Sequence, residues 1–364
     1  MKILFLLPYP LREAPSQRFR FEQYVERLRR QGFTVRTQSF LTTHSWQLFF
    51  ERGNPIQKAL TLMRGFLKRV YVLAITPSFY FVFIHREATP LGPPVIEWFI
   101  AKILRKKIIY DFDDAIWLTD RKDESAVLRS LKWRQKVKAI CQWSYKVSAG
   151  NEYLCAYARQ FNKNVVLNPT TIDTEKTHNR SLYNPPLPRE RGPGGEALTI
   201  GWTGSHSTLK YLEELQPVLK QVEEKYANVT FLVIADQPPP MQLQRLSFIK
   251  WHAQTEIEDL MKMDIGIMPL PDDEWAKGKC GFKALQYMAL EIPAVVSPVG
   301  VNTEIIANGE EGFLCASGSE WFDALKKLID NKNLRMELGK NGRRKVLEHY
   351  SVSSNTSTFL SLFE

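Results

Sequence analysis

The sequence predicts an α/β protein of two consecutive domains, each an open parallel sheet flanked by helices. Three observations carry this. Continuous apolar runs of strand length, starting with KILFLLPYP at 2–10, recur between amphipathic segments, the pattern of strands buried on both faces. The series is interrupted once, by the proline- and glycine-rich stretch NPPLPRERGPGGEA at 184–197, and then starts again. At 364 residues the chain also exceeds one typical domain, so two cores are expected.

The elements follow in order. After the first strand comes PSQRFRFEQYVERLRRQGF, read as one helix with Ser16 as cap, an apolar stripe of Phe19, Tyr24, Val25 and Leu28, and Gly32 as the stop. The strand FTVRTQSF completes a strand–helix–strand unit. YFVFIHRE, a helix over 94–104, KKIIYDFDDAIW, YKVSAG and NVVLNP extend the same sheet. The second series runs through LTIGWTGS, a helix over 209–226, VTFLVIAD, FIKWHA, DIGIMPL and PAVVSPVG. This gives a first domain over 1–182, a linker over 183–197, a second domain over 198–350 and an expected cleft between the domains. Ligands of such sheets bind beyond the carboxyl ends of the strands, so the loops that follow each strand are the places to search.

Composition narrows the function classes. Cys141, Cys155, Cys280 and Cys315 form no CxxC pair and no secretory leader is recognisable, so reduced thiols in the cytosol are expected, without zinc or disulfides. The run ILFLLP is too short for a signal peptide and is followed by Arg12 and Glu13. The apolar stretch 56–75 is interrupted by Lys58, Arg64, Lys68 and Arg69, which argues against a membrane span. Charge is uneven: residues 1–150 carry 26 Lys and Arg against 12 Asp and Glu, and the remainder 23 against 27. The first half should therefore meet an anion, either a membrane surface or a phosphorylated substrate; no nucleic-acid motif accompanies the charge. The mix of aromatic, aliphatic and basic residues at 46–75 suits an interfacial helix, and core packing behind a basic outer face suits it nearly as well.

Several loops could carry chemistry. In GWTGSHSTLKYL, Gly204 and Ser205 stand between a strand and a helix, where backbone N–H groups suit a phosphate; the alternative is a plain turn capped by Ser205 or Ser207. KGKCGFKALQYMALEIPAVVSPVG, at 277–300, places Lys279, Gly281 and Lys283 ahead of an amphipathic helix, and Lys279 is expected to face the GWTGS turn. In the first domain KKIIYDFDDAIW ends in Asp111, Asp113 and Asp114, and HREATPLGPP adds Arg86 and Glu87 to the same rim. Arg18 and Arg20 stand at a helix start, where the dipole disfavours cations unless an anion is bound.

The order GWTGS, DIGIMPL, KCGFKALQYMALEIPAVVSP, VGVNTEII, NGEEGFL resembles the nucleotide-sugar domain of glycosyltransferase family 4, whose members have two Rossmann-like domains in the type B fold. The resemblance implies transfer of a sugar from a nucleotide-sugar to a glycan or lipid-linked acceptor in cell-envelope polysaccharide or glycoconjugate synthesis. It also implies retained configuration, no cofactor and no essential metal. HYS at 349–351 resembles the point where the family's last helix returns to the first domain, so 351–364 is expected to pack there.

Departures from the family are specific. Of its two glutamates spaced by seven residues, the second is replaced by Gln286, which can still hydrogen-bond a ribose hydroxyl, and the first by Gly278. Glu274, Asp272 or Asp273 could substitute for the first. The family's basic pair is replaced by Trp202 and Ser207, which leaves the pyrophosphate to Lys279, Lys283 and the N–H groups of Gly204 and Ser205. Residues 251–254 lie where the base would be met. Asp113 stands where the family carries a histidine and is the expected acceptor base, with Glu87 as the alternative; pairing with Arg86 or capping is the structural explanation of these aspartates. Arg18, Arg20, Arg86 and Asp111 are the expected acceptor contacts. The aspartates superficially match a metal-binding Asp-x-Asp, which belongs to the other glycosyltransferase fold. A nucleotide-sugar epimerase or hydrolase, and a non-catalytic subunit that assists another transferase, are the competing readings. No GxGxxG follows the first strand of either domain, which disfavours an oxidoreductase. The expected location is cytoplasmic, peripheral at the inner face of the membrane.

Overall fold

The computed structural model describes residues 1–50, 53–119, 124–183 and 196–364. Nearly all of the expected linker, 184–195, lies outside the described residues. The chain forms two compact units, one of residues 1–170, 278–280 and 355–364, the other of 171–277 and 281–354. Each unit is built on a six-stranded parallel sheet.

In the first unit the strands are β1 (Lys2–Leu7), β2 (Thr34–Ser39), β3 (Phe81–His85), β4 (Lys107–Phe112), β5 (Lys146–Ala149) and β6 (Val165–Leu167), in spatial order β2-β1-β3-β4-β5-β6. The central strands β1, β3 and β4 are buried almost throughout, as their unbroken apolar runs require. An aromatic core of Phe5, Phe21 and Phe83 packs with Phe359 and Phe363 of the returning C-terminal segment, and Tyr24 stacks on Phe359 at 4.3 Å. Each such ring buried from water contributes about 1.5–3 kcal/mol. The segment over 15–33 is not one helix. It is a turn of helix at Pro15–Arg18, a break, a 3₁₀ turn at Glu22–Tyr24 and a helix at Val25–Arg30, and Ala14 rather than Ser16 precedes the first turn.

The helix Pro55–Ile75 has two faces of different character. Arg69 is fully buried on the inner face, where its guanidinium donates to the carbonyls of Leu7 (2.7 Å), Gln38 (3.0 Å) and Ala88 (2.6 Å). Burial brings its pKa down to about 9. The outer face exposes Ile56, Leu60, Met63, Leu67 and Val70, spaced by four and three residues in turn, the spacing of a single apolar stripe on a helix.

The second unit holds β7 (Leu198–Thr203), β8 (Val229–Ala235), β9 (Leu246–Lys250), β10 (Ile265–Met268), β11 (Ala294–Val296) and β12 (Gly312–Leu314), in order β12-β11-β10-β7-β8-β9. Its core joins Ile200, Trp202, Leu219, Phe231 and Val233 to Trp321, Leu325 and Leu328 of the helix Gly318–Asp330. Ser317 and Glu320 close that helix with a reciprocal capping box. The helix expected over 209–226 breaks at Leu215, and the second piece, Gln216–Lys225, carries Pro217 in its first turn, where no N–H is needed. The unit boundary lies nearer the start of the chain than the sequence suggests. Ile172 bridges Ser351, which draws residues from 171 onward into the second unit and leaves only 355–364 to the first.

Candidate functional site

In the first unit the polar residues gather where β3 and β4 end. The innermost group is an ion pair: Arg20 donates to both carboxylate oxygens of Asp111, at 2.5 Å and 3.4 Å, and neither side chain is exposed. His85 (2.8 Å) and the Ser148 hydroxyl (2.6 Å) also bond Asp111. Burial alone would raise the Asp111 carboxyl, but the Arg20 guanidinium and the His85 hydrogen bond outweigh it and hold it well below the usual range. Arg20 and Asp111 were expected to meet an acceptor. The structure corrects this: they form an interior pair, in which the Asp111 carboxylate offsets the charge of the buried guanidinium.

The next layer is open to solvent in part. Arg86 ends β3 with φ of 58°, a conformation that costs a non-glycine residue about 1–3 kcal/mol and is held here by its N–H on the Asp111 carbonyl (2.7 Å) and its carbonyl on the Tyr110 hydroxyl (2.7 Å). Its guanidinium bridges Asp113 (2.8 Å) and Asp114. Lys279 belongs to this unit, and its ammonium lies 2.9 Å from Asp114. Cys280 Sγ donates to the Asp113 carbonyl and Asn151 Nδ2 to the Lys279 carbonyl, which fixes the segment 278–280. Burial works against ionised Asp114, yet Lys279 and Arg86 bring its carboxyl below the usual range. Glu87 is paired with the buried Lys136 at 2.6 Å, and Lys136 also donates to the Thr89 carbonyl. Arg18 is partly buried with its guanidinium over the Phe19 ring.

The second unit is arranged differently. β7 runs into the turn at Gly204 and Ser205, and a side chain on Gly204 would strike the Trp202 ring and Thr208. The Gly204 N–H is spent on the Ile234 carbonyl (3.0 Å), so this glycine provides room and is not the N–H donor that was expected. Ser205 and Ser207 bond each other through their hydroxyls, and Asp236 accepts from the His206 N–H and contacts its ring. Lys283 lies 5.5 Å over the Trp202 ring. Gly281 begins the helix Phe282–Ala289 with φ of 65° and offers no side chain to cap its first turn. Gln286 is buried on that helix, and its amide nitrogen meets His178 and Glu256, both at 3.3 Å. Glu274 is exposed and pairs with Lys277 (2.9 Å), as does Asp272 (3.6 Å).

The structure thus brings together Arg86, Asp111, Asp113, Asp114, Glu87, Arg20 and Lys279 in the first unit, and Gly204, Ser205, Gly281, Lys283 and Gln286 belong to the second. Lys279, expected to face the GWTGS turn, pairs with Asp114 in the first unit. Tyr9, whose phenol burial pushes its pKa up and which lies against Arg86, was missed, as were His85, Lys136, His178 and Glu256. Only His85 had a visible signal, a histidine closing an apolar strand. Among the described residues, no group of three or more His, Cys, Asp or Glu is arranged to hold a metal ion, and no helix is long and apolar enough to cross a membrane.

Residues 197–331 match the family described as glycosyl transferases group 1. The capsular polysaccharide biosynthesis glycosyltransferase CapM of Staphylococcus aureus is 24% identical over 166 residues, 42% of this chain and 42% of that relative, so the match spans less than half of either protein. Among solved structures, sucrose-phosphate synthase of Thermosynechococcus elongatus superimposes with a TM-score of 0.70 at 13% identity, covering 100% of this chain and 98% of the other. HepE of Anabaena, solved with UDP and glucose, gives 0.62 at 14% identity, covering 100% and 99%. The protein therefore has the type B glycosyltransferase fold, and its residues 197–331 match the glycosyl transferases group 1 family.

Proposed function

We propose that the protein transfers a sugar from a nucleotide-sugar held on the second unit to a glycan or lipid-linked acceptor held on the first, in the synthesis of a cell-envelope polysaccharide. The observation that carries this is the match of residues 197–331 to the group 1 transferases, on a sheet whose β7 turn and uncapped helix at Gly281 suit a diphosphate. HepE, solved with UDP and glucose, supports the donor class, and the name of CapM supports the polysaccharide setting. Lys283, the Ser205 N–H and the first turn of the helix Phe282–Ala289 neutralise the departing diphosphate, with Lys279 as a further candidate cation. Retention of configuration, and independence of metal, follow from the family resemblance.

On the first unit Asp113 is the proposed base for the acceptor hydroxyl. Its ion pair with Arg86 keeps it oriented, and the strained backbone at Arg86 marks a place where structure is maintained at a cost. Glu87, held by Lys136, is the alternative. The helix Pro55–Ile75 holds this unit against an anionic membrane: its outer stripe is apolar, and besides the buried Arg69 it carries Lys58, Arg64 and Lys68 with no acidic residue. Incubation with labelled UDP-, GDP-, ADP- and dTDP-sugars, with and without a lipid-linked acceptor, tests the reading. Acceptor-dependent label transfer supports it. Sugar release or isomerisation without acceptor would mean a hydrolase or epimerase, and nucleotide binding with no turnover would mean a non-catalytic subunit.

A further inference from the structure

The turn at Arg86 bears on the carboxylate assigned above as the acceptor base, so this inference rests on the transferase reading. The Glu87 N–H donates to the His85 carbonyl at 2.7 Å, which closes a three-residue turn centred on Arg86. With φ of 58° at its centre this is the rare, strained kind of turn, and an arginine does not adopt it unaided. β4 holds it from both sides: the Asp111 carbonyl accepts the Arg86 N–H, and the Tyr110 hydroxyl donates to the Arg86 carbonyl, both at 2.7 Å. Tyr110 is fully buried, and burial pushes its phenol well above the usual range, so the hydroxyl remains a donor at every working pH. From this turn the Arg86 guanidinium reaches the end of β4. Its Nε (3.0 Å) and Nη2 (2.8 Å) both donate to Oδ1 of Asp113, and Nη2 also meets Asp114. One oxygen of Asp113 is thereby committed. The other, Oδ2, has no hydrogen-bond partner among the described residues and lies open to solvent, in a side chain that is 13% exposed.

We infer that Tyr110 is a positioning residue: by holding the Arg86 turn it fixes the Asp113 carboxylate, with Oδ1 on the guanidinium and Oδ2 presented to the acceptor hydroxyl. In the transfer step the acceptor O–H bond breaks and its proton goes to Oδ2. The acceptor oxygen bonds the anomeric carbon, and the nucleoside diphosphate leaves with the electron pair of the broken C–O bond. Tyr110 touches neither substrate. Without its hydroxyl Arg86 can relax to negative φ, which withdraws the guanidinium from Oδ1 and lets the Asp113 carboxylate turn. A misplaced base lowers the rate and not the affinity for the nucleotide-sugar, because its contact is made as the proton moves.

The test combines steady-state transfer with amide hydrogen exchange on the wild type, Tyr110→Phe, Asp113→Asn and the double variant, each checked by thermal unfolding. The probes are labelled UDP-, GDP-, ADP- and dTDP-glucose with a polyprenyl diphosphate-linked sugar as acceptor. Tyr110→Phe removes one oxygen and keeps the ring, and should lower kcat by about ten- to a hundredfold with little change in KM for the nucleotide-sugar. In the Asp113→Asn background the same change should cost less than about twofold, because the hydroxyl acts only through that carboxylate. Exchange should accelerate at residues 86 and 87 and stay as in the wild type along the rest of β3 and β4. An equal loss of rate in both backgrounds, or faster exchange throughout both strands, would make Tyr110 a general support of the fold and overturn the inference. A full rate in Tyr110→Phe overturns it as well. If Tyr110→Phe fails to fold, Arg86→Gly decides: glycine takes the positive φ without strain, so a rate loss tests the guanidinium alone, and a full rate overturns the inference. A wild type that transfers no label overturns the transferase reading and the inference with it, whereas the other overturning results leave that reading intact.

Discussion

The carboxyl ends of the two sheets are organised by different physics. In the first unit, charge is neutralised inside the protein: Arg20 with Asp111, Arg86 with Asp113 and Asp114, Lys279 with Asp114, and Lys136 with Glu87. In the second, the main device is a directed series of hydrogen bonds through Thr177, His178, Gln286 and Glu256. Paired charges set few demands on angle, whereas directed hydrogen bonds depend on one tautomer and one amide orientation.

The largest effect is expected where that neutralisation is most buried. Asp111→Asn leaves Arg20 without a counter-charge and should lower stability by about 3–5 kcal/mol, read as a shift of the urea midpoint. The pH dependence has a definite sign. Asp111 and Asp114 have carboxyls lower in the folded than in the unfolded chain, so their stabilisation is complete above the unfolded value of about 4 and is lost as pH falls below it. Asp111→Asn should flatten the acid limb of a stability-against-pH curve, and a limb as steep as that of the wild type would contradict the pairing.

Asp113→Asn should keep the fold, since Arg86 retains Asp114, but slow transfer by about 10²- to 10⁴-fold if Asp113 is the base. A full rate would move the role to Glu87. Lys279→Ala should weaken nucleotide-sugar binding by about 1.5–3 kcal/mol in calorimetry, the cost of a lost charge-assisted contact. Unchanged affinity would mean that Lys279 belongs to Asp114 alone. The smallest effect is at the surface: Leu60→Glu with Leu67→Glu should abolish sedimentation with anionic liposomes at low salt and leave transfer to a soluble acceptor intact.

The central strands were legible because each is a short apolar run, the composition of a strand buried on both faces, whereas β2 and β9 at the sheet edges are partly polar and exposed. Breaks within helices were less so. Leu215 looks like any core leucine, and only Pro217 two positions later hints that the helix restarts. The candidate site was half legible. Glycines at strand ends and carboxylates at the end of β4 stand out locally, but partnerships do not: Arg20 meets Asp111 across 91 residues, Gln286 meets His178 across 108, and Lys279 meets Asp114 across 165. A basic residue at a helix start reads the same whether it faces solvent or an interior carboxylate, which is why Arg20 was assigned to an acceptor.

The second unit is proposed to hold a nucleotide-sugar. Thermal unfolding against UDP-, GDP-, ADP- and dTDP-sugars, with and without magnesium or manganese, tests it most directly. One nucleotide class should stabilise the protein with or without metal, by about 2.7 kcal/mol at a hundred times its dissociation constant. No stabilisation by any of the four would contradict the claim and favour a subunit that has lost its nucleotide site along with the two glutamates.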